Sequence, residues 1–309
     1  MASSYKTAQP QPGLVHEFRP NLTAFEFRPE KYPQKSDKVV VFIAGLTNGL
    51  LNVPYLPQLA EAVAEQGWNL VQVLLSSAYR GFGVSSLARD VKELGYLVEY
   101  LKSETGGQRK KIVLMGHSTG CQDTMEYLSK FKFNDKYQPD VHDVDGGILQ
   151  APVSDVEAFQ LTHKNLEELT KRVHDEYISQ GKGEHILPQE FRAATFNTAI
   201  TANRFYSLAH PRGSDDYFSS YLRNEDYAQT FGKLSVPILV LYGSKDEFVP
   251  PLVDKQKLID TWKENVADEK YWSPYSKVLP GALHNVGPGS DEGSVLELID
   301  TVKRFLSTF

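Results

Sequence analysis

Hydrophobic and polar positions along this chain switch repeatedly between patterns typical of strands and patterns typical of helices. Residues 22–28 (LTAFEFR) place phenylalanines opposite charged side chains, which predicts a strand with one exposed face, preceded by a polar leader. Residues 38–45 (KVVVFIAG) form an uninterrupted apolar run, which is typical of a strand buried on both faces of a parallel sheet. Further buried strands are predicted at residues 69–77, 111–116, 147–152, 236–243 and 275–281.

Apolar positions with helical spacing lie between these strands. They recur at residues 56–64, 87–101 and 295–306, and residues 121–128 (CQDTMEYL) continue as a helix after the strand at 111–116. Gly67 is predicted to end the first helix, and Ser85 or Ser86 to cap the second. Strands that alternate with helices indicate an α/β fold, in which helices cover both faces of a mostly parallel sheet.

The alternation stops once, between residues 153 and 232. This stretch is helix-like or irregular and contains no convincing buried strand, although strands are predicted on both sides of it. We therefore expect one catalytic domain made of residues 1–152 and 233–309, with residues 153–232 inserted as a mainly helical lid. Because binding residues often lie on such connections, we expect the lid to determine the choice of substrate.

Composition narrows the class of protein. Of 309 residues, 41% are hydrophobic and 23% are charged, which is the balance of an ordinary globular chain. The net charge of −6 argues against nucleic acid or an anionic membrane as a partner. A single cysteine, Cys121, excludes a disulfide framework and a multi-cysteine metal site, and we expect it to pack against the sheet. With no signal-peptide core and no apolar run of about 18 residues, a cytoplasmic location is expected.

Residues 116–120 (GHSTG) carry the strongest chemical signal. The pattern G-x-S-x-G stands where a buried strand passes into a helix, the position at which a nucleophilic serine is held on a tight turn. Glycines on both sides avoid clashes in that turn, and the following helix N-terminus favours negative charge on a substrate oxygen. Ser118 is therefore predicted to be a nucleophile.

A serine hydroxyl needs a base, and the base needs an acid that orients it. Asp246 follows the strand at 236–243, and His284 follows the strand at 275–281. Of the eight histidines, only His284 lies after Asp246 and at the carboxyl end of a strand, where catalytic groups of open α/β sheets gather. Glu247 is the alternative acid. His117 is expected to pack within the turn, and Asp254 to belong to the next helix.

An oxyanion hole requires two backbone N–H groups near the serine. Thr119 directly follows the nucleophile and is predicted to supply one of them. The other is expected from the loop after residues 38–45, at Leu46 or alternatively at Thr47.

With these motifs in order, the chain resembles the α/β-hydrolase superfamily over essentially its whole length. Residues 78–86 (AYRGFGVSS) also resemble the Arg-Gly-x-Gly-x-Ser turn of many members. Three further segments, 42–50 (FIAGLTNGL), 116–123 (GHSTGCQD) and 207–222 (SLAHPRGSDDYFSSYL), resemble a fungal hydrolase family formerly described as a domain of unknown function. That family includes intracellular esterases of fusarinine-type hydroxamate siderophores. Where many relatives have His-Gly in the oxyanion loop, this chain has Ala44-Gly45.

The resemblance implies a serine esterase that works through an acyl-enzyme. Ser118 attacks the ester carbonyl, His284 acts as base and Asp246 holds the imidazole. It implies a small-molecule ester as partner, no cofactor, and no metal other than iron carried by a siderophore substrate. Two other classes stay open: a general carboxylesterase, thioesterase or acyltransferase acting on lipid-like acyl groups, and a non-catalytic binding protein on a hydrolase scaffold.

The second part of the expected lid is rich in aromatic and charged residues. Fusarinine units carry free amines, with which acidic groups could pair. We hypothesise that the polar substrate contacts include Arg204, Arg212, Asp215, Asp216 and Tyr217. The alternative is that the aromatic side chains simply pack this segment.

Overall fold

The computed structural model describes residues 8–131 and 143–309, and within them one eight-stranded sheet forms the centre of the molecule. The spatial order of its strands is β1-β2-β4-β3-β5-β6-β7-β8. Pairing is antiparallel from β1 through β2 to β4 and parallel across the rest. The strands are β1 (Gly13–Arg19), β2 (Leu22–Phe27), β3 (Lys38–Ile43), β4 (Asn69–Leu74), β5 (Lys111–His117), β6 (Gly146–Gln150), β7 (Ile238–Gly243) and β8 (Lys277–Leu279).

Helices cover both faces of this sheet, as the sequence predicts. The flanking helices are α1 (Leu56–Glu65), α2 (Leu87–Lys102), α3 (Gly120–Glu126), α9 (Lys255–Glu264) and α10 (Ser294–Leu306). Alternate residues of β3 belong to two different hydrophobic clusters: Val39 and Val41 pack with α2, α3 and α9, while Val40 and Phe42 pack with α1 and α10. This two-sided burial explains why the strand is apolar throughout. In the described part of the chain, no helix has the length and apolarity needed to cross a bilayer.

The segment between β6 and β7 is helical and has a hydrophobic cluster of its own. Its helices are α4 (Asp155–Thr162), α5 (Leu166–Val173), α6 (Gln189–Arg192), α7 (Ala202–Ala209) and α8 (Asn224–Tyr227). Its buried side chains include Phe159, Phe191 and Phe205, which cluster with Phe82 from the turn after β4. Two parts of the catalytic domain expected from the sequence, residues 1–7 and 132–142, lie outside the described residues.

The Arg-Gly-x-Gly-x-Ser turn after β4 holds this helical segment against the sheet. The backbone N–H of Thr201 donates to the carbonyl of Gly83 at 2.9 Å. A Cβ atom at Gly83 would lie 2.0 Å from the carbonyl oxygen of Ala199, so only glycine permits this approach. Arg80 adds hydrogen bonds to the carbonyls of Phe196 and Asn197.

The polar-leader prediction is wrong for residues 13–19, which form the edge strand β1. Leu14 and Val15 are 49% and 72% exposed there, so the strand lacks the buried apolar face that would have revealed it. The other predicted strands and helices are present within a few residues. Ser86 caps α2 by accepting from the N–H of Arg89.

Candidate active site

The turn at Ser118 has the geometry that the G-x-S-x-G pattern predicts. Ser118 lies between the end of β5 and the start of α3 with φ of +55°, a conformation that non-glycine residues rarely adopt. A Cβ atom at Gly116 would lie 2.1 Å from the carbonyl oxygen of Gly120, and one at Gly120 would lie 2.2 Å from that of Ile43. Both glycines are therefore required sterically. Ser118 is half-buried, whereas its neighbours His117 and Thr119 are buried.

The loop after β3 approaches the serine closely. At Gly45 a Cβ atom would lie 2.6 Å from Cβ and 3.1 Å from Oγ of Ser118. The next residue, Leu46, directs its N–H to Oγ1 of Thr119 at 2.8 Å, so the two residues predicted to form the oxyanion hole are bonded to each other. Thr47 has φ of +66°. Among the described residues, the N–H groups of Thr47 and Thr119 have no acceptor.

Asp246 and His284 meet at the carboxyl ends of β7 and β8. Oδ2 of Asp246 lies 2.8 Å from Nδ1 of His284, and Oδ1 accepts from the N–H of Phe248 at 3.0 Å. A carboxylate at Nδ1 favours the tautomer that leaves Nε2 as an acceptor. Glu247 instead accepts from the backbone N–H of His284 at 2.9 Å, so it anchors the histidine loop. Asp254 caps α9, as expected of a helix residue.

Ser118 and His284 line the same cavity, which has a volume of about 400 Å³. Ser118 Oγ makes no hydrogen bond to any residue of the described chain. The hydrogen bond between a nucleophile and its base is often long or poorly aligned without substrate and tightens when substrate binds. The walls are largely apolar, with Val53 and Phe248 from the sheet side and Phe159 and Phe196 from the helical segment. A cavity of this size and lining suits a small organic ligand.

Gln150, at the end of β6, was not predicted to belong to the site. Its Oε1 accepts from the hydroxyl of Tyr55 at 2.9 Å and lies 2.5 Å from Nδ1 of His117, while its Nε2 donates to the carbonyl of His284 at 3.0 Å. Burial, reinforced by the neighbouring His284, lowers the pKa of His117 to about 3. His117 is therefore a neutral packing residue of the turn. The only signal in the sequence was a polar residue ending an apolar strand.

None of the five residues proposed for substrate contact lines the cavity that holds Ser118. Arg204 is buried, bonded to Asp215 at 2.5 Å and to the carbonyl of Phe82. The side chain of Arg212 pairs with Asp226, and its backbone N–H donates to Asp216. The buried Tyr217 donates its hydroxyl to Glu126. All five thus have partners within the protein.

Buried carboxyl groups cluster behind Ser118 around one guanidinium. Asp90, Asp123 and Asp215 line a small cavity together with Arg204, and Asp155 lies nearby in the wall of the larger cavity. Burial raises the pKa of Asp90 to about 7. Burial and the charge of Asp90 raise the pKa of Asp123, whose carboxylate has no hydrogen-bond partner in the described chain. Burial likewise raises the pKa of Asp155.

Cys121 is fully buried on α3. Its thiol donates to the carbonyls of Gly116 and Gln150, and burial raises its pKa well above the usual range. A protonated, enclosed thiol is a packing group.

Sheet order, flanking helices and the serine turn together define an α/β hydrolase. The chain belongs to the family described as Protein of unknown function (DUF1749), which matches residues 4–307. The resemblances expected from the sequence, to the superfamily and to this family, are confirmed.

Relatives with names indicate the class of reaction. The fusarinine C esterase sidJ of Aspergillus fumigatus is 30% identical over 340 residues, covering 96% of each chain. Esterase AN6793 of Emericella nidulans is 34% identical, covering 97% of this chain and 93% of its own. The solved structure of siderophore hydrolase EstB from Aspergillus fumigatus has a TM-score of 0.79 at 29% identity, covering 97% of this chain and 98% of that chain. The protein is an ester hydrolase.

We expect the carboxyl cluster to make stability depend on pH. A carboxyl group with a raised folded-state pKa binds protons in the folded chain that the unfolded chain, with pKa of about 3.9, releases. Its contribution to the free energy of unfolding is present below about pH 4 and lost as the pH rises through the folded pKa, near 7 for Asp90. Asp123→Asn removes one such group and should be increasingly more stable than wild type from pH 4 to pH 8.

Thermal unfolding at each pH measures this effect. The melting temperature of Asp123→Asn minus that of wild type should rise by several degrees over the range, since 1 kcal/mol corresponds to roughly 2–4 °C in large domains. Asp260→Asn, on the exposed face of α9, is the matched control and should give a flat difference. A flat difference for Asp123→Asn as well would contradict the raised pKa.

Proposed function

We propose that the chain is a serine esterase in which Ser118 is the nucleophile, His284 the base and Asp246 the acid that orients it. The observation that carries this proposal is the contact of 2.8 Å between Oδ2 of Asp246 and Nδ1 of His284. His284 lines the same cavity as Ser118, which stands on a turn with positive φ. The three groups come from the ends of β5, β7 and β8, the edge where α/β sheets bind ligands.

The proposed reaction proceeds through an acyl-enzyme. Ser118 Oγ bonds to the ester carbonyl carbon as its proton passes to Nε2 of His284, and Asp246 stabilises the imidazolium that forms. The carbonyl oxygen becomes an oxyanion, which the backbone N–H of Thr119 and a second hydrogen-bond donor beside Ser118 hold. His284 then protonates the departing alcohol, and water attacks the acyl-enzyme by the same route.

We also infer that residues 153–232 act as a lid over this reaction. About half of the residues lining the cavity come from this segment, among them Asp155, Phe159, Ala194 and Phe196. The segment packs on the turn after β4 through its own cluster and the buried Arg204–Asp215 pair. The segment supplies side chains to the substrate cavity and none to the Asp246–His284 pair. Substitutions in it would therefore change substrate specificity without removing a group that takes part in the proposed reaction.

For the substrate we propose an ester of a hydroxamate siderophore. Relatives over nearly the whole chain carry the names fusarinine C esterase and siderophore hydrolase. The cavity offers apolar walls for an acyl unit and one carboxyl group, Asp155, near the nucleophile. We place the activity in the cytoplasm, because a chain with one buried cysteine and no disulfide suits a reducing compartment.

Replacing the nucleophile should abolish hydrolysis. Ser118→Ala is expected to lower kcat for a nitrophenyl ester by about 10⁴-fold or more, with an unchanged circular dichroism spectrum. In parallel, a fluorophosphonate should add to Ser118 of the wild-type protein, as located by peptide mass spectrometry. Full activity of the purified variant would overturn the mechanism.

The adjacent acids provide a matched pair of variants. Asp246→Asn should lower kcat about 10⁴-fold, because the amide cannot stabilise the imidazolium. Glu247→Gln keeps an oxygen that can accept from the His284 N–H and should lower kcat less than about 10-fold. Steady-state kinetics on one ester gives kcat for both variants. A larger loss of kcat in Glu247→Gln than in Asp246→Asn would assign Glu247 as the acid.

Substrate profiling separates the siderophore proposal from a general esterase. Ferric and iron-free fusarinine C, a monoacylglycerol, an acyl thioester and a nitrophenyl ester are compared at equal enzyme concentration, with products identified by mass. We expect kcat/KM for a fusarinine ester to exceed that for the lipid-like substrates by more than 10-fold. A preference for the monoacylglycerol or thioester would favour the general esterase or thioesterase instead. Absence of turnover on every ester would favour a binding protein.

A further inference from the structure

Thr119 has a polar side chain that the mechanism above does not use. Its Oγ1 accepts from the backbone N–H of Leu46 at 2.8 Å. An N–H group has one proton, so while this bond lasts Leu46 cannot give a full hydrogen bond to a substrate oxygen. Three candidates for the second donor remain: the N–H of Leu46 once this bond breaks, the N–H of Thr47, which has no acceptor among the described residues, and the hydroxyl of Thr119 itself.

The hydroxyl of Thr119 keeps its own proton after accepting from Leu46. Within the described residues Oγ1 has no acceptor for that proton, and the side chain borders both the cavity of Ser118 and the small cavity of Asp90 and Asp123. Neither carboxylate is hydrogen-bonded to Thr119. The backbone N–H of Thr119 is likewise without an acceptor, so this residue has two available donors directly beside Ser118.

Resting on the proposed serine mechanism, we propose that the Thr119 hydroxyl is itself an oxyanion-hole donor, and that Leu46 is a positioning residue that acts through it. The oxyanion is then held by the N–H and the O–H of Thr119. The N–H of Leu46 orients and polarises the hydroxyl, because a hydroxyl that accepts one hydrogen bond becomes a stronger donor in the next.

Local packing fixes this arrangement before substrate arrives. Thr119 is only 8% exposed, and its β-branched side chain has few rotamers. Asn48 N–H donates to the carbonyl of Gly45 at 3.1 Å, which closes the loop into a tight turn around Leu46. Gly45 in turn contacts Ser118, so the loop has little freedom to withdraw the Leu46 N–H. Donors held in place in this way need no reorganisation during the reaction.

Thr119→Val and Thr119→Ser test the role of the hydroxyl. Valine keeps the shape but removes donor and acceptor, and should lower kcat about 10²–10³-fold with KM changed less than about 3-fold. Serine keeps the hydroxyl and should stay within about 5-fold of wild type. The inhibition constant of a trifluoromethyl ketone, which forms an oxyanion on Ser118, should rise in the valine variant by the same factor as kcat falls, while that of the carboxylic acid product stays constant.

Two results would overturn the inference. If Thr119→Val matches or exceeds wild-type kcat, the second donor is a backbone N–H of Leu46 or Thr47, and the hydroxyl of Thr119 is not a donor to the oxyanion. If kcat falls while the ketone binds equally well, the loss is structural, and thermal unfolding of the variant should show it.

Fluorophosphonate labelling separates this inference from the mechanism on which it rests. An adduct on Ser118 in both wild type and Thr119→Val, together with unchanged kcat in the variant, overturns the role of Thr119 alone. A wild-type protein that hydrolyses esters without forming the adduct overturns the serine mechanism and the role of Thr119 with it.

Discussion

The site depends on one steric constraint, the crowding of backbone around Ser118. Gly116, Gly120 and Gly45 each lie where a Cβ atom would come within 2.6 Å of another atom, and these contacts join β5, α3 and the loop after β3. The crowding holds Ser118 at positive φ, with its side chain projecting into the cavity instead of packing on the sheet. A strained backbone conformation of this kind persists only where several contacts of the surrounding structure hold it in place. The parallel pairing of β5 with β3 and β6 supplies that support.

The sheet and the positions of Ser118, Asp246 and His284 could be predicted because their signals are local. A strand buried on both faces must be apolar throughout, so its ends are visible in the sequence, and parallel strands bring those ends to one edge. That three residues following three such strands lie close together can therefore be predicted without knowing the conformation of the loops. The structure distinguishes Asp246 from Glu247 by their contacts, since Asp246 bonds to Nδ1 of His284 and Glu247 to its backbone N–H.

Features that depend on tertiary partners could not be predicted. β1 is an exposed edge strand whose pairing with β2, not its own pattern, makes it a strand. Arg204 and Asp215 looked suited to a polar substrate, yet they neutralise each other in a buried pair. A buried ion pair and a substrate contact use the same residue types, and only burial distinguishes them. Gln150 gave no signal beyond its type, because its role consists of three contacts with residues far away in sequence.

Through these contacts, β6 fixes the position of the proposed base, His284, relative to the proposed nucleophile, Ser118. β6 lies between β5 and β7, and Gln150 at its end bonds on one side to His117 of the serine turn and on the other to the carbonyl of His284. The centroids of the two imidazole rings lie 5.0 Å apart, so a charge on His117 would oppose the imidazolium that His284 becomes in the proposed reaction. Burial prevents that charge, since a pKa of about 3 keeps His117 neutral near pH 7. The same packing that places His284 beside the serine turn therefore also favours the proton transfer from Ser118 to His284 that the proposed mechanism requires.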